Sequence, residues 1–404
     1  MIGSPAVAPY PVQLFPKPKG LLTRLSSVID LARSPDLRRA TGVPELYSKL
    51  AESQAAGELS ANAIGNLAAN SMTTVEELLG LEHVDRRLGT SFIDELQLPR
   101  SAIRSLREAF SQTAFGGDEL TEWNRFDQYT YALGFDLRDS PEPPVAGDEM
   151  DASSTGTPPA DGHELGAPAT ATLPPEAVIL ITPCLSGVRD QQDRGTCTAF
   201  ASVACLEHHL CRTAKATLRL SEQFQYWNMV EHTGKHSLVA SFPALKEDGV
   251  CSAATWPYWG KEIPGNDGQG PPPPSAKAEA AAWKCQEVLQ LPARSVERIK
   301  QALRDDHLVS VGFPVYRSWY EHPVVRKYGN ITLPFPGEVP ESAGHAVALV
   351  GFADDAEFAG GGYFIVRNSW DHVWGTNSVF GVGHGTLPYA YVERFNWDAW
   401  CITR

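Results

Sequence analysis

Residues 138–178 contain almost no large apolar side chains and are crowded with Pro, Gly, Ser, Thr and Asp. Such a stretch cannot bury enough surface to offset the entropy of ordering it, so it reads as a disordered linker. It divides the 404 residues into two regions, which suits a length too great for one compact core. Residues 1–17 are expected to be a flexible start, 18–137 a helical N-terminal domain, and 179–404 a second folded domain.

In the first region Leu21, Leu22, Leu25, Val28, Ile29 and Ala32 recur at helical spacing. TVEELLGL (74–81) and SAIRSLREAF (101–110) repeat the pattern, with Ser101 placed as an N-cap. Residues 59–81 faintly suggest a helix-hairpin-helix module, but a generic helical bundle for protein contacts is the default. The second region opens with a helix near Cys197 that turns Ala199, Phe200, Val203, Ala204 and Leu206 inward. It closes with strands at HAVALVGF (345–352) and YFIVRNSW (363–370), separated by a Gly-rich turn. PGNDGQGPPPPS (264–275) reads as a surface loop. A helical half followed by a strand-rich half suggests two lobes with a cleft between them.

The formal net charge of −14 repels nucleic-acid phosphates and argues against wholesale DNA or RNA binding. The start lacks a basic segment followed by an apolar one, and no stretch approaches the roughly 20 apolar residues that span a bilayer. Cytoplasmic synthesis is the expectation, with leaderless export as an effector left open. Seven cysteines, an odd number without CxxC spacing, argue against both a disulfide framework and a metal site. One reactive thiol and six structural ones are expected.

A cysteine attacks carbonyls as thiolate, and a helix N-terminus with a nearby imidazole is the usual means of forming one. Cys197 follows the flexible Gly195-Thr196 and precedes an apolar helix. His345 opens a strand directly after Gly344, and Asn368 ends the next strand, where its amide can orient the ring. Gln191, six residues before Cys197, can donate to the oxyanion of a tetrahedral intermediate.

These segments resemble the papain-like cysteine peptidases. VRDQQDRGTCTAF (188–200) is similar to the segment around the family's nucleophile, LSEQF (220–224) to its Leu-Ser-Glu-Gln helix start, and GVCSAATWPY (249–258) to its turn ending in Pro-Tyr. GHAVALVGF (344–352) resembles the histidine segment and NSWDHVWG (368–375) the Asn-Ser-Trp…Trp-Gly run. His345 lies 148 residues after Cys197, inside the roughly 130–150 the family allows. The resemblance implies an α+β, two-lobed fold, a helical lobe beside an antiparallel barrel-like lobe, preceded here by a separate helical domain. It implies a Cys197–His345–Asn368 triad with Gln191 in the oxyanion hole. It also implies a substrate groove lined by Gly195, Thr196, Thr198, Gly344 and Trp370, with Trp370 shielding the Asn–His bond. Three positions depart from the family. Arg194 replaces the cysteine of the usual disulfide, which resembles bacterial members; Thr198 replaces a tryptophan, and Asp371 a glycine. The helical region lacks the motif of the commonest propeptides.

The implied function is peptide-bond hydrolysis of a protein or peptide substrate, without cofactor or metal. Deamidation or transpeptidation on the same cysteine, and a non-catalytic binding module, are the alternatives. For the helical domain, a targeting adaptor and an autoinhibitor both stand. His208-His209 and the His232/His236 pair read as structural or surface groups, GVGHG (381–385) as a strand turn, and the Asn330-Ile331-Thr332 sequon as idle without secretion.

Overall fold

The computed structural model describes residues 22–38, 43–123, 131–135, 176–234 and 236–404. The expected flexible start and residues 138–175 of the expected linker lie outside them. Ala177 and Val178, at the end of that stretch, already belong to a strand.

The N-terminal region is helical where its apolar spacing predicts. In the helix Val75–Leu88, Thr74 Oγ1 accepts the Glu77 N–H while the Glu77 carboxylate accepts the Thr74 N–H, a reciprocal cap that satisfies two helix-end donors. Gly89, at φ 68°, ends it in the left-handed conformation that glycine adopts without steric cost. The helix Arg100–Ser111 turns Ala102, Ile103, Leu106 and Phe110 inward. Its N-cap is Pro99 rather than Ser101, whose hydroxyl donates instead to Glu58 at 2.8 Å. The helical pattern ends before residue 131: residues 131–135 are extended, not helical.

In the second region three helices, Cys197–Ala214, Glu222–Thr233 and Leu238–Glu247, build one lobe. Ser221 caps the second by accepting the Phe224 N–H at 3.0 Å. The other lobe is an antiparallel sheet of β1 (Ala177–Ile179), β2 (Val288–Leu291), β3 (Val309–Tyr316), β4 (Pro340–Asp354), β5 (Gly362–Arg367), β6 (His384–Pro388) and β7 (Asp398–Ile402). Their order is β2-β7-β3-β4-β5-β6, with β1 also on β4. Pairing of Phe313 with His345 and of Ala348 with Arg367 fixes the register, and therefore which β4 and β5 residues reach the interlobe face. A single core joins the lobes, with Val203 and Leu206 of the first helix packed among Val311, Val347 and Leu349.

The absence of disulfides expected from cysteine number is corrected: Cys184 and Cys211 are joined, with Cα atoms 5.4 Å apart. Pairing follows proximity, and the helix Cys197–Ala214 is long enough to carry Cys211 back to the segment after β1. The other five cysteines are free and buried. Among the described residues no helix is long and apolar enough to cross a membrane.

The helical region does not stand apart. Val324, Tyr328 and Phe335 of the second region join its core beside Leu78, Leu106 and Trp123. His322, fully buried, sets its ring against Gly80, where an added Cβ would lie 2.6 Å from it. The ring Nε2–H donates to the Glu77 carbonyl at 2.8 Å while Nδ1 accepts the Val325 N–H. Lys327 pairs with Glu119 at 2.6 Å and with Glu122, and Arg87 pairs with Glu321.

Candidate active site

Cys197 is the first residue of its helix, the position where unpaired N–H groups favour a negative sulfur. His345 and Ala346 lie on β4 across from it, and the Ala346 N–H donates to Cys197 Sγ at 3.4 Å. The sulfur therefore sits within one residue of the imidazole. His345 Nε2 bonds Asn368 Oδ1 at 2.8 Å. An amide oxygen only accepts, so the proton is on Nε2 and Nδ1 is the free base; among the described residues it has no hydrogen-bond partner. Trp370 stacks on the ring at 4.4 Å between centroids and 17° between planes, covering the His–Asn bond from water.

Gln191 is fully buried and held by Ser369, whose hydroxyl donates to Oε1 at 2.6 Å and whose carbonyl accepts the Gln191 N–H at 2.9 Å. The Ser369 N–H also donates to Asn368 Oδ1 at 2.8 Å, so one residue orients both amides. Sequence reasoning assigned Ser369 no role, although its place between Asn368 and Trp370 could have suggested one. Thr196 and Thr198 are buried and depart from the expected groove lining. Thr196 Oγ1 bonds the Tyr258 hydroxyl at 2.7 Å, and Thr198 Oγ1 turns into the helical lobe toward Met229 Sδ. Both sit where the helix start faces its own lobe. The Leu-Ser-Glu-Gln segment contributes Glu222, which forms an ion pair with Arg189 at 2.7 Å beneath the site.

Residues 131–135, Tyr-Ala-Leu-Gly-Phe, cross this groove. Gln191 Nε2 donates to the Ala132 carbonyl at 3.0 Å. Phe135 pairs with Gly344 through two backbone bonds of 3.0 and 3.1 Å. Gly134 packs on Gly195 so closely that a Cβ there would lie 1.9 Å from the Gly195 oxygen. Tyr131 stands edge-on to Trp370 at 4.9 Å, and its hydroxyl donates to the Val373 carbonyl at 3.0 Å. Phe135, 1% exposed, fills a pocket over Gly312 beside Trp397. The segment was missed because its place is set by tertiary contacts.

Under this cover, burial pushes the Cys197 thiol up to about 11 and the His345 imidazole down to about 4. Backbone N–H groups of Ala346 and Gly134 pull the thiol the other way, as the Asn368 bond does for the ring, but burial wins. Both groups are neutral near pH 7, the opposite of a reactive ion pair. Among the described residues no cluster of His, Cys, Asp or Glu could hold a metal. His236 bonds Asp267, and His208 bonds Asp306. Asn330 and Thr332 of the sequon are buried.

The sequence profile of the papain family cysteine proteases matches residues 181–388. An uncharacterized peptidase C1-like protein of Acanthamoeba polyphaga mimivirus is 27% identical over 241 residues, covering 56% of this chain and 72% of that protein. Cathepsin K of Gallus gallus is 28% identical over 191 residues, or 46% and 52%. The chain thus spans only about half of the latter's length. Among solved structures, xylellain, a cysteine protease from Xylella fastidiosa, is similar with 26% identity and a TM-score of 0.50, covering 68% of this chain and 95% of that one. The matched segment takes in more than half of the chain together with Gln191, Cys197, His345 and Asn368, and the chain belongs to the papain family of cysteine proteases.

Proposed function

We propose that the chain is a latent cysteine endopeptidase that hydrolyses peptide bonds through a thioester on Cys197. His345 Nδ1 takes the thiol proton as sulfur bonds the scissile carbonyl carbon, and the carbonyl electrons move to an oxyanion received by Gln191 Nε2–H. The imidazolium returns its proton to the leaving amine, and the C–N bond breaks to leave a thioester. Water then attacks the thioester with His345 as base, releasing the carboxylic acid and the thiol. Asn368 keeps Nε2 protonated throughout, and Trp370 keeps water from that bond.

The observation that carries this reading is the free Nδ1 of a ring whose other nitrogen is tied to Asn368, on the residue beside the one that bonds the sulfur. Latency is supported by the segment 131–135, which favours autoinhibition over targeting as the role of the helical region. The Gly134 N–H faces Cys197, so the segment stands in the nucleophile's path. Removing the cover rehydrates the pair and reverses both pKa displacements.

The test uses the full-length chain carrying Phe135→Ala, which loosens the segment, on an unblocked peptide. Two product masses summing to substrate plus water, lost on adding Cys197→Ala, are expected. Turnover that survives Cys197→Ala overturns the assignment, and a product of unbroken chain length indicates deamidation instead.

A further inference from the structure

Arg194 stands three residues before the nucleophile, where the resemblance expects a disulfide cysteine, and is 2% exposed. Its guanidinium donates to Gln223 Oε1 at 2.8 Å, to the Trp259 carbonyl at 2.9 Å and to the Asp267 carbonyl at 2.8 Å. It also lies 5.0 Å from the Tyr226 ring and 5.4 Å from that of Tyr258. A five-donor fork buried among such acceptors fixes what it touches. Here it fixes residues 259–270 against the nucleophile loop. Gly270 adds to the fit, since a Cβ there would lie 2.1 Å from Trp227 Nε1.

The loop so held forms one wall of the groove. Between Glu262, Asp267, Tyr226 and His236 on that side and Ser342 and Ala343 on the other lies a cavity of about 420 Å³, bordered by Gly195 and by Gly134 of the crossing segment. Gly134 has no side chain to fill it. The carboxyl and imidazole groups lining the cavity among the described residues are Glu262, Asp267 and His236, with no lysine or arginine. Asp267 accepts from the Tyr226 hydroxyl and from His236 Nε2 at 3.0 Å each, and the His236 bond holds its carboxyl below the usual range. It is therefore ionised across the neutral range, and half of its side chain remains exposed for another partner.

We infer that the Arg194-anchored loop is a specificity wall, and that through Asp267 and Glu262 it selects a substrate carrying a lysine or arginine side chain at the position where the crossing segment presents Gly134. The inference rests on the peptidase reading above. A cationic side chain there meets two solvent-exposed carboxylates of one sign, a charge complementarity that steers the matching substrate and is screened by salt.

The experiment uses the full-length chain with Phe135→Ala and two peptidyl epoxide probes that differ only in lysine or norleucine at the residue next to the reactive group. Rates of Cys197 labelling are read by mass spectrometry. The lysine probe is expected to label about tenfold faster, falling toward equality in high salt. Glu262→Gln alone should reduce the ratio, and Glu262→Gln with Asp267→Asn should abolish it. Equal labelling by both probes, norleucine preference, or a lysine preference untouched by these substitutions overturns the inference and leaves the peptidase intact. If neither probe labels Cys197, the peptidase reading fails and this one falls with it.

Discussion

Replacing Gly134 with alanine places a methyl group 1.9 Å from the Gly195 oxygen and 2.1 Å from its carbonyl carbon. Both are backbone atoms, with no side-chain rotation to relieve the overlap. Restoring even a 3.0 Å contact requires the segment to retreat by roughly 1 Å, a distance that hydrogen bonds do not survive. The two Phe135–Gly344 bonds and the Gln191–Ala132 bond are then lost or weakened, at a net cost of about 1 kcal/mol each. The sum of about 3 kcal/mol corresponds to a rise of about 100-fold in the population of open groove, before any loss from Phe135. The assay is the rate at which iodoacetamide alkylates Cys197 in the full-length chain, resolved from the other cysteines by peptide mapping. A Gly134→Ala rate within twofold of wild type would refute the reasoning, because it means that the segment does not govern access.

Three further outcomes follow from the interface and the crosslink. His322 is pushed down to about 4 by burial, so the docked state binds fewer protons than a solvated histidine of pKa about 6.5. Its contribution is complete above pH 6.5 and is lost as pH falls toward 4, by about 3 kcal/mol. Glu76, pushed up to about 7, acts in the opposite sense over the same window. The readout is therefore the ratio of the Cys197 alkylation rate of wild type to that of His322→Gln at each pH, which cancels the titration of the thiol itself: the ratio should rise on acidification, and parallel profiles exclude His322 as the cause. Lys327→Met strands the buried Glu119 carboxylate, and should cost about 3 kcal/mol and raise basal alkylation. Adding Glu119→Gln should restore part of the stability, and strict additivity in thermal unfolding would count against a coupled pair. Cys184→Ser opens a crosslink between residues 27 apart and should lower stability in urea by about 3–4 kcal/mol; an unchanged midpoint means the bond does not form.

What was legible in the sequence is what local chemistry dictates. A thiol at a helix start, with a histidine and an asparagine on successive strand segments, matched the family's order, and the register of β3, β4 and β5 brings the last two to one face. His345, however, lies five residues inside β4 rather than opening a strand, and Asn368 follows β5. TVEELLGL was legible as a helix in the same way, although its capping box at Thr74 and Glu77 was not singled out. Arg194 was legible as a missing cysteine but not as a replacement for it, because its acceptors come from residues 223, 259 and 267. The disulfide escaped because the count of cysteines says nothing about which two the helix Cys197–Ala214 brings together. Tyr131–Phe135 carries no periodicity to mark an extended segment, and its conformation comes from Gly344, Gln191 and Trp370, all distant in the chain. Thr196 and Thr198 were placed in the groove by the resemblance, yet Thr196 Oγ1 bonds Tyr258 and Thr198 Oγ1 turns toward Met229, partners distant in the chain.

The most direct measurement is labelling of the full-length Gly134→Ala chain by an epoxysuccinyl peptide, with the modified residue mapped and the rate compared with that of the same chain carrying His345→Ala. Modification of Cys197 alone among the seven cysteines, at a rate that collapses without the imidazole, is the predicted result. Labelling spread over several cysteines, or a Cys197 rate indifferent to His345, would contradict the claim that sulfur and ring act as one unit.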